Sequence, residues 1–183
     1  MVWNSVGIIT QFNKEGDESI DIEFHNVSLH HTIHIKNQYG YTMGDVSKEA
    51  VVLASPGSKH SSSGSEETEE NDFEFVSATA NSSTHSKLTC ILLNSCDNTK
   101  EWNIEMPRKE NIKCVCVSKV FVVCATSRRF VRVYYLAGTQ KEIICLAGSP
   151  ICIAAYDNRI FVAHSNGTNL DYSYYFLGNF SCY

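Results

Sequence analysis

The chain has no stretch of about 20 consecutive apolar residues, the length a membrane-spanning helix requires. Its start lacks the basic region and sustained apolar core of a secretory signal. Positive charge is not in excess: 15 Lys and Arg stand against 20 Asp and Glu, for a net charge of −5. That balance argues against a broad phosphate-binding surface, and direct DNA binding by this segment is not expected. From Val120 to Gly167 no apolar run holds the 3.6-residue period long enough for a good helix. The sequence contains no Gly-x-Ser-x-Gly, no phosphate-binding loop, no dinucleotide fingerprint and no Cys-x-x-Cys pair. Enzyme activity is therefore not expected, and no catalytic, cofactor-binding or metal-binding residue is assigned.

What the chain does have is alternation. With 183 residues and 43% hydrophobic content it is long and apolar enough for one domain with a real core. From Val120 to Gly167 short apolar runs alternate with polar turns: Val120 to Ala125, Phe130 to Leu136, Glu142 to Leu146, Ile151 to Ala155 and Ile160 to Ala163. Strands of this length, punctuated by Ala137-Gly138, Gly148-Ser149-Pro150, Asp157-Asn158 and Asn166-Gly167, mark an antiparallel meander. Asn166-Gly167 suits a tight hairpin, because both residues tolerate positive φ.

The rest of the chain reads in the same way. Val2 to Phe12 predicts a first strand. Ser19 to His25 alternates cleanly, with Ile20, Ile22 and Phe24 on one face and Asp21, Glu23 and His25 on the other. His30 to Ile35 predicts another strand, Tyr39 to Gly44 a turn, and Glu49 to Ala54 a short buried strand. Lys87 to Leu93, Lys100 to Met106 and Ile112 to Val117 continue the series. Residues 1–55 thus hold the first strands and 87–168 the main meander, with an atypical aromatic tail at 169–183. Between them, 56–86 is an acidic, Ser-rich segment with Glu66-Glu67-Thr68-Glu69-Glu70, read as a flexible loop. Phe73 to Val76 is a small strand-like exception. Ser63 with Glu66 fits an acidic-directed kinase site, a match that arises often by chance. About a dozen strands at four per blade make about three blades of an all-β propeller.

The eight cysteines are Cys90, Cys96, Cys114, Cys116, Cys124, Cys145, Cys152 and Cys182. Most lie in apolar strand runs, such as Cys90-Ile91-Leu92 and Ile151-Cys152-Ile153, where a reduced thiol behaves as a small hydrophobe. Cys114 and Cys116 share a strand face, a poor geometry for an unstrained disulfide. His25, His30, His31 and His34 invite a zinc reading, but no nearby ligand pair completes a tetrahedron, so surface histidines are the expectation. Arg128, Arg129 and Arg132 form a basic cluster beside Phe130, Tyr134 and Tyr135. It is read as hairpin-turn charge with some capacity for a phosphate or an acidic peptide. Ser149, between Gly148 and Pro150, belongs to a turn.

Several ordered segments carry a family resemblance. They are Val2-Trp3-Asn4-Ser5-Val6-Gly7-Ile8-Ile9, Ile20 to His25, His30-His31, Lys100-Glu101-Trp102, Ala125-Thr126-Ser127, Gly138 to Glu142 and Leu146 to Pro150. Together they resemble the SepB domain, the middle WD-repeat β-propeller of the acidic nucleoplasmic DNA-binding protein and chromosome transmission fidelity adaptor family. The resemblance covers most of Val2 to Gly167 and fails near Pro56 to Ser86 and in the last dozen or so residues. It implies a nuclear, chromatin-associated, homotrimeric replisome adaptor joining the replicative helicase (MCM/GINS) to DNA polymerase alpha. It implies a fragment of about three blades that stops before the family's client-binding helical region. The competing reading is an unrelated all-β intracellular module that binds a ligand or a protein.

Overall fold

The computed structural model describes residues 2–14, 17–57, 85–93 and 101–177. The expected strand at Phe73 to Val76, the acidic run, Ser63, Cys96 and Cys182 lie outside the described residues. Fifteen strands are present among the described ones: β1 Val2–Trp3, β2 Gly7–Lys14, β3 Asp17–Phe24, β4 Ile33–Lys36, β5 Met43–Val46, β6 Ala50–Ser55, β7 Lys87–Leu92, β8 Glu101–Glu105, β9 Ile112–Val117, β10 Phe121–Thr126, β11 Phe130–Tyr135, β12 Gln140–Cys145, β13 Ser149–Tyr156, β14 Arg159–Ser165 and β15 Leu170–Phe176. They form four antiparallel sheets of consecutive strands: β1 to β4, β5 to β8, β9 to β12 and β13 to β15. Each sheet is an up-and-down meander, and neighbouring sheets touch through β2 and β5, β5 and β9, and β9 and β13. This is an incomplete β-propeller of three four-stranded blades and a fourth blade of three strands.

The core lies between blades, in three layers. Ile9, Ile20, Ile22 and Phe24 of the first blade pack on Tyr41, Val46, Val51 and Leu53 of the second. Ala50, Val52, Ala54, Leu88 and Cys90 meet Ile112, Val115, Val117, Val122 and Cys124 of the third. Phe121, Val123, Ala125, Val131 and Val133 meet Ile160, Val162 and Leu177 of the fourth. This arrangement explains why β6 and β10 read as unbroken apolar runs. Each is buried along its whole length, because alternate residues feed the layers on either side. Each fully buried Val, Ile or Leu there contributes about 1.5–3 kcal/mol.

Among the described residues the end blades are covered on one face only. In β3, Ile20, Ile22 and Phe24 are buried while Glu23 is exposed, as the alternation predicts. The open face of the fourth blade is aromatic: Tyr156, Phe161, Tyr172, Tyr174 and Phe176 are all exposed there. The register places Phe161 beside Tyr174 and Arg159 beside Phe176.

Four expectations need correction. Val2 to Phe12 is not one strand. It breaks at Asn4, whose side chain accepts hydrogen bonds from the amides of Val6 and Gly7 at 2.8 and 3.1 Å and turns the chain. Gly7 then passes so close to β3 that an added Cβ would collide with the Glu23 carbonyl oxygen. Met43 and Gly44 are not turn but the start of β5, held to β6 through pairs such as Met43 with Ala54. The strand expected from His30 begins only at Ile33, so His30 and His31 precede it. Cys152 is exposed rather than core, because among the described residues no further sheet covers its face. The last stretch adds β15, joined to β14 through Asn166 and Gly167. Asn166 Oδ1 accepts from the Thr168 and Asn169 amides at 3.2 and 3.1 Å.

Candidate functional site

The turns leading from the first to the second strand of each blade gather at one end of the shared axis. Together with β5, β9 and β13 they line a cavity of about 720 Å³. Three of these turns are built alike. The Asn4 amide donates to Gly7 O at 3.1 Å, Ser47 to Ala50 O at 2.9 Å and Ser118 to Phe121 O at 2.8 Å. In each, the side-chain oxygen also accepts from the next two free amides. Ser47 Oγ takes Glu49 and Ala50, both at 3.1 Å, and Ser118 Oγ takes Val120 and Phe121 at 3.2 and 3.0 Å. Short polar side chains favour such turns because they replace the missing backbone acceptor. The fourth blade places Asp157 at the corresponding point, with φ at 47°.

Asp45 lies between these turns and ties three blades together. Its Oδ1 accepts from Asn4 Nδ2 of the first blade at 3.0 Å and from the Val46 amide at 2.9 Å. Its Oδ2 accepts from the Val117 amide of the third blade at 3.0 Å. Asn4 Nδ2 also reaches Val46 O at 2.6 Å. Burial pushes the Asp45 carboxyl above its usual range, against the pull of the Val117, Val46 and Asn4 hydrogen bonds. A second link lies at the outer edge, where Trp102 of β8 donates to Leu136 O of the third blade at 2.7 Å. The Trp102 ring lies against Gly138, where an added Cβ would meet it at 3.1 Å.

The residues singled out in the sequence are dispersed. His25 Nε2 lies 3.1 Å from Trp3 Nε1 and 3.0 Å from Asn4 O. His30 contacts His31 O and the Phe24 ring, and His34 pairs with Asp21 at 2.9 Å. Among the described residues no three His, Cys, Asp or Glu side chains converge as a metal site would require. Cys116 is core and Cys114 packs beside it. Burial raises Cys90 and Cys124 to about 12 and Cys114 to about 11, so these thiols stay protonated and unreactive. Ser149 opens β13 opposite Ser165.

The basic cluster divides. Arg132 turns inward onto Glu110, Nε to Oε1 at 2.7 Å and Nη2 to Oε2 at 2.8 Å. The hydrogen bond from Arg132 draws the Glu110 carboxyl below its usual range. Arg128 and Arg129 remain exposed. Sequence reasoning missed Asp45 and the repeated turns. The signal available was the recurrence of Val46-Ser47-Lys48 as Val117-Ser118-Lys119.

Four antiparallel sheets around a common axis, whose polar groups hold one blade to the next, define an incomplete β-propeller. The chain belongs to the Mcl1 middle-region family: residues 1–181 match the family model described as minichromosome loss protein, Mcl1, middle region. It is 40% identical over 171 residues to "WD repeat and HMG-box DNA-binding protein 1" of Xenopus laevis, covering 93% of this chain and 13% of that protein. The human protein of the same name is 36% identical over 171 residues, with the same coverage. The chain thus spans a small part of the length of these relatives. A crystal structure of HIRA(644-1017) aligns at a TM-score of 0.46 and 13% identity over 72% of this chain and 33% of that one, a likeness that adds nothing to the argument. Family membership removes the alternative of an unrelated all-β module.

Proposed function

We propose that this segment is scaffold in a nuclear replication-fork adaptor that joins the replicative helicase to DNA polymerase alpha, and that the longer protein assembles as a homotrimer. The observation that carries the reading is the match to the Mcl1 middle-region family along nearly the whole chain. The fold supports it physically. Blade-to-blade burial and the Asp45 and Trp102 links make a surface that holds its shape. A propeller of this kind offers rigid faces on which protein partners can dock. The net charge of −5 favours protein partners over nucleic acid for this segment.

The test is capture from nuclear extract with the full-length protein that contains this segment. Recovery of both polymerase alpha and helicase subunits is expected. Recovery of neither ends the adaptor reading. A native mass below three protomers would end the trimer reading separately.

A further inference from the structure

Two turns at the ends of the third blade's strands lie side by side. One joins β8 to β9 and runs Pro107-Arg108-Lys109-Glu110, with the Glu110 amide donating to Pro107 O at 3.0 Å. The other joins β10 to β11 and runs Thr126-Ser127-Arg128-Arg129, with the Arg129 amide donating to Thr126 O at 3.0 Å. The Ser127 amide donates to Asn111 O at 2.7 Å, and the Asn111 amide donates to Ser127 Oγ at 3.0 Å, so the turns are zipped together. Arg108, Lys109, Arg128 and Arg129 are all exposed. The carboxylate between them, Glu110, faces inward and is held by Arg132. Arg129 Nη1 reaches Ala147 O at 3.5 Å, which engages one of its five donors.

Backbone strain gives a second, independent observation. Lys109 has φ at 65° and Arg129 at 63°, in the left-handed region that costs any residue with a Cβ. The next hairpin of the same blade shows the cheaper solution. There Gly138 takes the position that Arg129 takes, its amide donating to Tyr135 O at 2.9 Å, with φ at 93°. Both turns of the basic pair carry a long cation where the backbone favours glycine. Strain of this kind concentrates where a side chain is needed for binding.

We propose that the paired turns Arg108-Lys109 and Arg128-Arg129 form a binding site for an acidic peptide that presents two or more carboxylates. Guanidinium groups bind carboxylates in bidentate fashion, and exposed cations on adjacent turns suit carboxylates a few residues apart. These four cations occupy two turns of a chain with net charge −5. A nucleic-acid backbone would call for a longer basic track.

Fluorescence anisotropy of a labelled octaglutamate peptide, titrated with the full chain, tests the site. Saturable binding is expected. It should weaken about fivefold in the K109G/R129G variant, as loss of two exposed charge contacts requires. The melting temperature of that variant should be unchanged or raised, since glycine relieves the strain. R108Q/R128Q should weaken binding similarly without touching the backbone. A chain carrying E66Q/E67Q/E69Q/E70Q separates the sources of the acidic peptide: tighter binding of the probe points to the chain's own acidic run, unchanged binding to a partner. No saturable binding, equal binding by the basic-site variants, or tighter binding of a labelled oligothymidylate would overturn the proposal.

Discussion

Replacing Asp45 with alanine removes three acceptor contacts at once. The Val46 amide contact is local, made with the adjacent residue, and Asn4 Nδ2 keeps Val46 O as a partner. The main loss is the Val117 amide, which stays inside the second-to-third blade junction without its acceptor. An unsatisfied buried donor costs about 1–3 kcal/mol. Release of a carboxylate that burial disfavours offsets part of this, so the net loss should be about 2 kcal/mol. For a domain of this size that lowers the melting temperature by about 4–8 °C. The pH dependence has a definite sign. The folded carboxyl lies above its unfolded value, so the stability linked to its protonation is full below the unfolded value and lost as pH rises through the folded one. The gap between wild type and Asp45→Ala should therefore narrow from about pH 4 towards neutrality. Thermal denaturation by circular dichroism at several pH values reads this directly. A change within about 0.5 kcal/mol at all pH values, or a gap that widens with pH, would refute the inter-blade role.

Other perturbations follow the same logic. Trp102→Ala removes the bond to Leu136 O and the ring against Gly138, and should cost about 3 kcal/mol by urea denaturation. Gly138→Ala should cost about 1–2 kcal/mol, because it adds a Cβ against that ring at φ 93°. Arg132→Met strands the buried Glu110 and should cost about 3 kcal/mol near neutral pH. That loss should fade as pH falls through the lowered Glu110 value, since stability from a depressed carboxyl exists above its unfolded value and disappears below the folded one. Phe161→Ser with Tyr174→Ser should reduce concentration-dependent self-association, read by light scattering, because it breaks the open aromatic face of the fourth blade.

The sequence was most readable where burial is simplest. Ala50 to Ala54 and Phe121 to Ala125 are apolar throughout because they serve two core layers. Ile20, Ile22 and Phe24 alternate because the first blade is covered on one side only. β5 was hidden because Gly44 and Asp45 look like turn residues. Only the structure shows that Asp45 is an acceptor for neighbouring blades. The break after Trp3 was hidden because the Asn4 side-chain turn is local chemistry inside an apolar run. Cys152 and Ile151 misled because an apolar strand implies a neighbouring sheet, and their open face lacks one among the described residues. The division of the basic cluster was not readable at all. Glu110 lies in another turn, and nothing in the local sequence pairs it with Arg132.

Hydrogen–deuterium exchange of the chain tests most directly whether its blades act as one scaffold. β5, β9 and β13 should share strong protection, and Asp45→Ala should accelerate exchange in the second and third blades together, at Val117 above all. Independent exchange of the blades, with the effect of Asp45→Ala confined to β5, would contradict this.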